Sequence, residues 1–90
     1  MNSHVELWAI IESDLTRARN SLPDAAANDA TIREYQEYID HNELELAWDM
    51  LEAYAEDHFV SRDFWLALRD AATKMELSDR ANRYERRISG

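Results

Sequence analysis

Apolar residues recur along this chain at spacings of three and four, the period at which side chains stack on one face of an α-helix. Val5, Trp8, Ile11, Leu15, Ala18 and Leu22 form the first such stripe. Ser3 and Glu6 ahead of it have the form of a capping box, in which serine and glutamate side chains satisfy backbone donors at a helix start. Pro23 cannot donate a backbone hydrogen bond and ends the helix. Residues 24–28 read as a linker with an alanine run, after which Asn28 or Asp29 can cap a short second helix carrying Ile32, Tyr35, Tyr38 and Ile39.

Asn42 reads as the cap of a third helix running to about His58, with Glu43 and Glu45 where the helix dipole favours negative charge. Leu44, Ala47, Trp48, Leu51, Ala55 and His58 share one face of it, and Leu46 and Met50 point the other way. Ser61 opens a fourth helix with Phe64, Trp65, Leu68, Ala72 and Met75 as its stripe. Ser78 can cap a fifth with Ala81, Tyr84 and Ile88. The pattern predicts an all-α fold, a compact bundle of four to five short helices joined by short connections.

Ninety residues support one core, so the expectation is a single helical domain over 1–90. The apolar fraction of 46% and three tryptophans place the chain outside the composition of disorder. One glycine at position 90 and one proline argue against sheet-rich folds, and they exclude a Walker loop or a dinucleotide fingerprint, which need several spaced glycines. With no cysteine there is no disulfide framework, thiolate metal site or cysteine nucleophile. No segment approaches the apolar length of a membrane span and no secretory leader is evident, which gives the expectation of a cytoplasmic protein.

Charge changes this picture more than composition does. Residues 1–60 carry a net −11 and residues 61–90 a net +2, giving −9 overall. Between Arg33 and Arg62 there is no lysine or arginine, while nine acidic residues fall there. Glu45, Asp49, Glu52 and Glu56 step by four, three and four along the third helix. Like charges at that spacing cost a helix a few tenths of a kcal/mol per pair, so a sequence selected for stability alone would intersperse cations. The stripe, with Glu37, Asp40 and His41 at the neighbouring turn, is the candidate partner-binding surface. A solvated face is the plain alternative. Such a field steers a basic partner inward and repels nucleic acid and anionic membranes. Arg80, Arg83, Arg86 and Arg87 form a separate basic patch, suited to pairing with acidic neighbours and too small to argue for nucleic-acid binding.

No constellation specifies catalysis. Helical carboxylate metal sites use Glu-x-x-His, but Tyr38 and Ala55 stand three residues before His41 and His58. His4, His41 and His58 therefore read as structural or solvated, and neither a metal nor another cofactor is expected. The serines occupy cap-like or polar positions without a nucleophile motif.

Tyr38-Ile39-Asp40-His41-Asn42-Glu43-Leu44-Glu45-Leu46-Ala47, followed by Phe64-Trp65-Leu66-Ala67-Leu68 and by Ala71-Ala72-Thr73-Lys74-Met75-Glu76-Leu77, resembles small helical immunity proteins of the MafI-like type. The resemblance covers about residues 32–77 and consists of turn and core residues. It implies an antitoxin-like bacterial protein that binds and neutralises a cognate toxin, and it transfers no catalytic residue. The other expectation is a helical interaction module or homodimeric adaptor, associating through Leu46, Met50 and an aromatic edge.

Overall fold

The computed structural model describes residues 3–89, with side-chain surroundings described from Glu6 onward. The elements are α1 (Ser3–Asn20), a 3-10 turn (Asp24–Asn28), α2 (Ala30–Asp40), α3 (Leu44–Asp57), α4 (Arg62–Lys74) and α5 (Ser78–Ser89). The fold is therefore all-α, with five helices among the described residues. The alanine-rich linker is itself ordered: Ala26 donates its N–H to the Pro23 carbonyl at 2.9 Å, and Ala26 is buried. Asp29 then caps α2, its carboxylate accepting from the Thr31 N–H at 2.8 Å. The capping box at Ser3 and the placement of Val5 and His4 concern side chains outside the described ones.

One core holds the bundle. Ile11, Leu15 and Ala18 of α1, Ile32 and Tyr35 of α2, Trp48 and Leu51 of α3, Phe64, Leu68 and Ala72 of α4, and Tyr84 of α5 all belong to it. α2 and α3 pair through a short turn, as do α4 and α5, and α1 packs mainly on α4 and less extensively on α3. Asp14 meets Lys74 at 2.8 Å and Arg17 meets Asp70 at 3.1 Å, which fixes α1 and α4 as antiparallel. Asp14 is 3% exposed yet receives both Lys74 and Arg17, so its charge is compensated where burial alone would be costly. The pairing continues from Asp70 to Arg69 and on to Glu85, a ladder that ties α1, α4 and α5 together.

Both helix–helix turns close in the same way. At the end of α2, Glu43 donates to the Tyr38 carbonyl at 2.8 Å and Asn42 to Ile39 at 3.0 Å; at the end of α4, Leu77 donates to Ala72 at 2.8 Å and Glu76 to Thr73 at 3.1 Å. Each is a Schellman turn, whose last step needs a residue in the left-handed region. Asn42 and Glu76 supply it, with φ of 62° and 59°. Asn42 is thus the stop of α2, and the residue at the N-cap of α3 is Glu43. Asparagine tolerates that conformation; glutamate has no such allowance, and a side chain there costs about 1–2 kcal/mol. Replacing Glu76 with glycine is expected to raise stability by about 0.5–1 kcal/mol after the larger chain entropy of glycine is counted, seen as a higher urea midpoint with an unchanged slope.

Several stripe residues lie outside the core, for a geometric reason. α1 has 18 residues and α4 has 13, so α1 is about 27 Å long against about 20 Å. Its antiparallel partner ends before the first turns of α1 are covered, and Trp8 is left 46% exposed, facing the α4–α5 turn. Met75, read as a core position, follows α4 as its C-cap, past the helical face that carries the core stripe, and is exposed. His58, read on the core face of α3, follows the helix as its C-cap. There it is exposed, stacked on Tyr54 with ring centroids 4.1 Å apart. Tyr54 takes the buried place instead.

Candidate partner-binding surface

The seven acidic-face residues separate into two groups. Asp49 and Glu52 look across from α3 to α5, where Arg80 meets Asp49 at 3.1 Å and Glu52 at 3.2 Å, and Arg83 meets Glu52 at 3.8 Å. Glu52 also accepts the hydroxyl hydrogen of Tyr84, whose oxygen accepts the Trp48 indole N–H at 2.8 Å. The Arg80 guanidinium stands 5.1 Å from the centre of the Trp48 ring. This network bridges α3 and α5 through long side chains. Half of the acidic stripe and half of the basic patch thus pair with each other across the α3–α5 surface, at partly exposed positions. The stripe's central pair therefore has cationic partners on α5, which corrects the reading of an uncompensated row. Glu56 is exposed but borders the same α3–α5 cleft, beside Arg83, Arg86 and Arg87.

The other group collects at the end of the bundle where α2 stops and α3 begins. Glu37, Asp40, His41 and Glu45 are exposed there, as are Glu34 and Glu43. Among the described residues none of these carboxylates has a cationic partner within ion-pair distance. Asp40 accepts from the Gln36 amide at 3.0 Å, and the His41 ring Nδ1 lies 2.8 Å from the Glu37 carbonyl oxygen. That contact orients the ring as the C-cap of α2. The N-terminus of α3 is equivalent to about half a positive charge, less than the charge of Glu43 and Glu45 together. Dipole compensation therefore accounts for only part of the acidity gathered at this turn. The remaining field is screened over about 8 Å at physiological salt, the reach of an encounter surface.

Beside this acidic end lies an apolar groove of about 310 Å³. Trp8 from α1, Leu46 from α3, and Met75 and Leu77 from the α4–α5 turn line it, over a floor that includes Leu44 and Trp48. The first four are large apolar side chains left substantially exposed. Of the apolar edge expected for association, Leu46 lies in this groove, while Met50 is half-buried against the core. At the opposite end of α3, Phe59 is 94% exposed and nothing in the fold accounts for it. Among the described residues no three His, Asp or Glu side chains are placed to hold a metal ion, and no helix is long and apolar enough to cross a membrane.

Burial pushes the Tyr35 phenol up to about 12. It raises Tyr84 as well, with the hydrogen bond to Glu52 adding to burial. Both folded values exceed the ordinary value near 10, so folding favours the neutral phenols. Their contribution is complete below about pH 10 and is lost as pH rises through the folded values. Urea midpoints should therefore hold up to about pH 10 and fall above it, and Tyr35→Phe should make that alkaline fall about half as steep.

No family model, curated protein or solved structure matches this chain.

Proposed function

We propose that this chain is a non-catalytic binding protein that engages a basic protein partner through the acidic end formed by Glu37, Asp40, His41, Glu43 and Glu45. In the specific form suggested by its resemblance to MafI-like immunity proteins, the partner is a bacterial toxin domain that is held inactive in the cytoplasm. The observation that supports the reading is the uneven use of charge. Arg80 is hydrogen-bonded to Asp49 and Glu52, and Arg83 lies 3.8 Å from Glu52, while the carboxylates around the α2–α3 turn have no cationic partner among the described residues.

A fold under selection for stability alone gains by relieving such a cluster. A clustered field instead raises encounter rates with an oppositely charged protein and disfavours acidic competitors. Where the toxin acts on a polyanion, carboxylates projecting from the α2–α3 turn compete for the same basic surface. The test is co-expression with the product of the neighbouring gene. Rescue of growth from a basic effector supports the immunity reading, and undiminished toxicity with both proteins present removes it.

Association of two copies through the exposed apolar edge is the second reading, and exposed Leu46 is the observation that favours it. Ionic strength separates the two. An electrostatic contact loses association rate steeply with salt, whereas an apolar dimer does not.

A further inference from the structure

The groove between the two Schellman turns has no use in the acidic contact as described, and its construction is not accidental to the core. Trp8, Leu46, Met75 and Leu77 come from three separate elements and converge on one depression. Each could be polar without loss of the buried core, since all four lie outside it. We propose that this groove receives an apolar anchor side chain carried on a basic, amphipathic helical segment of a protein partner. The proposal rests on the reading of the acidic end as a partner surface and specifies how that partner is held.

Charge and size select this occupant. The groove opens beside Glu43 and Glu45, which line it, and Glu76 stands between Met75 and Leu77 in the turn. Asp79 follows in the first turn of α5. Among the described residues the one cation at the groove is Arg80, which is already engaged by Asp49 and Glu52. An apolar centre with an anionic rim is complementary to apolar anchors spaced three and four residues apart among lysines and arginines. About 310 Å³ accommodates one or two such side chains, the scale of a binding hot spot and well below that of a whole interface.

A second copy of this chain fits the groove poorly. A two-fold contact places the same patch against itself, setting the carboxylate rim of one copy against the identical rim of the other in a molecule of net charge −9. A stable dimer also needs about 800 Å² from each partner, far more than four partly exposed side chains provide.

The test uses the full chain and a helical peptide of leucine and lysine arranged with leucines on one face, followed by tryptophan fluorescence. Control peptides carry serine for leucine or glutamate for lysine. Saturable binding of the leucine–lysine peptide is expected. It should weaken about tenfold or more when serine replaces leucine, and equally in a Leu46→Ser/Met75→Ser variant whose urea midpoint is preserved. The glutamate peptide should not bind. Equal binding by wild type and the groove variant overturns the groove proposal. If high salt still abolishes that binding, the acidic reading survives it. If the groove variant loses binding while a Glu37→Gln/Asp40→Asn/Glu45→Gln variant retains it in full, the groove stands and the acidic reading fails. Sedimentation of wild type alone as a dimer that the groove variant dissolves makes the groove a self-association face and overturns the proposed occupant.

Discussion

Replacing Glu52 with alanine will destabilise the domain by about 2–3 kcal/mol, the largest loss expected from any single acidic residue on α3. Glu52 accepts from Tyr84 and Arg80 and lies opposite Arg83, with only a fifth of its side chain exposed. Hydrogen bonds to charged groups contribute about 1.5–3 kcal/mol, and removing the acceptor leaves a buried hydroxyl without its own acceptor. Arg80 keeps Asp49 and its place over the Trp48 ring, which limits the loss. A chain of this size has a total stability of about 5–13 kcal/mol, so the urea midpoint should fall by about 2 M or more at a slope near 1 kcal/mol per molar. An unfolding free energy within about 0.5 kcal/mol of wild type, the scatter of ordinary surface substitutions, would mean that the α3–α5 bridge contributes nothing. Tyr84→Phe gives an independent check, because it removes the Trp48 acceptor and the Glu52 donor together.

The triple variant Glu37→Gln/Asp40→Asn/Glu45→Gln is expected to behave in the opposite sense. Its stability should equal or slightly exceed that of wild type, because exposed like charges are relieved and no ion pair is broken. Its association with a basic partner should slow by about ten- to a hundredfold at low salt, with dissociation changed much less. Glu45 and Glu52 sit on the same helix, α3, yet are expected to respond in opposite ways. Chemistry alone does not distinguish them; their neighbours do. Surface plasmon resonance at several ionic strengths measures the rates, and urea unfolding confirms that the fold is intact. A triple variant that folds normally and associates at the wild-type rate would assign the α2–α3 acidity to solvation.

The helices were legible because their stripes are regular: Ile11, Leu15 and Ala18, or Phe64, Leu68 and Ala72, are buried where a 3.6-residue period puts them. What a single helix cannot reveal is the identity of its neighbour. The stripe of Glu45, Asp49, Glu52 and Glu56 was visible, and so were the arginines from 80 onward. Their union required knowing that long side chains of α5 reach α3, a contact between residues 28–32 apart in the chain that leaves no periodic trace. Asp14 was passed over for the same reason, since its compensating Lys74 is 60 residues away. A polar residue next to Leu15 on a core stripe, in a chain with a single lysine, was the available signal. The left-handed residues Asn42 and Glu76 were missed for a different reason. Turn rules lead to glycine, and this chain has none before position 90. The exposure of Trp8 follows from the unequal lengths of α1 and α4, and that of Met75 from the end of α4 at Lys74, neither of which periodicity within a helix expresses.

The most direct test of the central claim is affinity capture from cells of the source organism, at about 0.02 M and about 0.5 M salt, the range over which surface charge passes from weakly to strongly screened. Wild type and the triple variant serve as baits. Wild type is expected to retain a basic protein at low salt and release it at high salt, and the folded triple variant is expected not to retain it. Capture of the same protein by both baits, indifferent to salt, would contradict the claim.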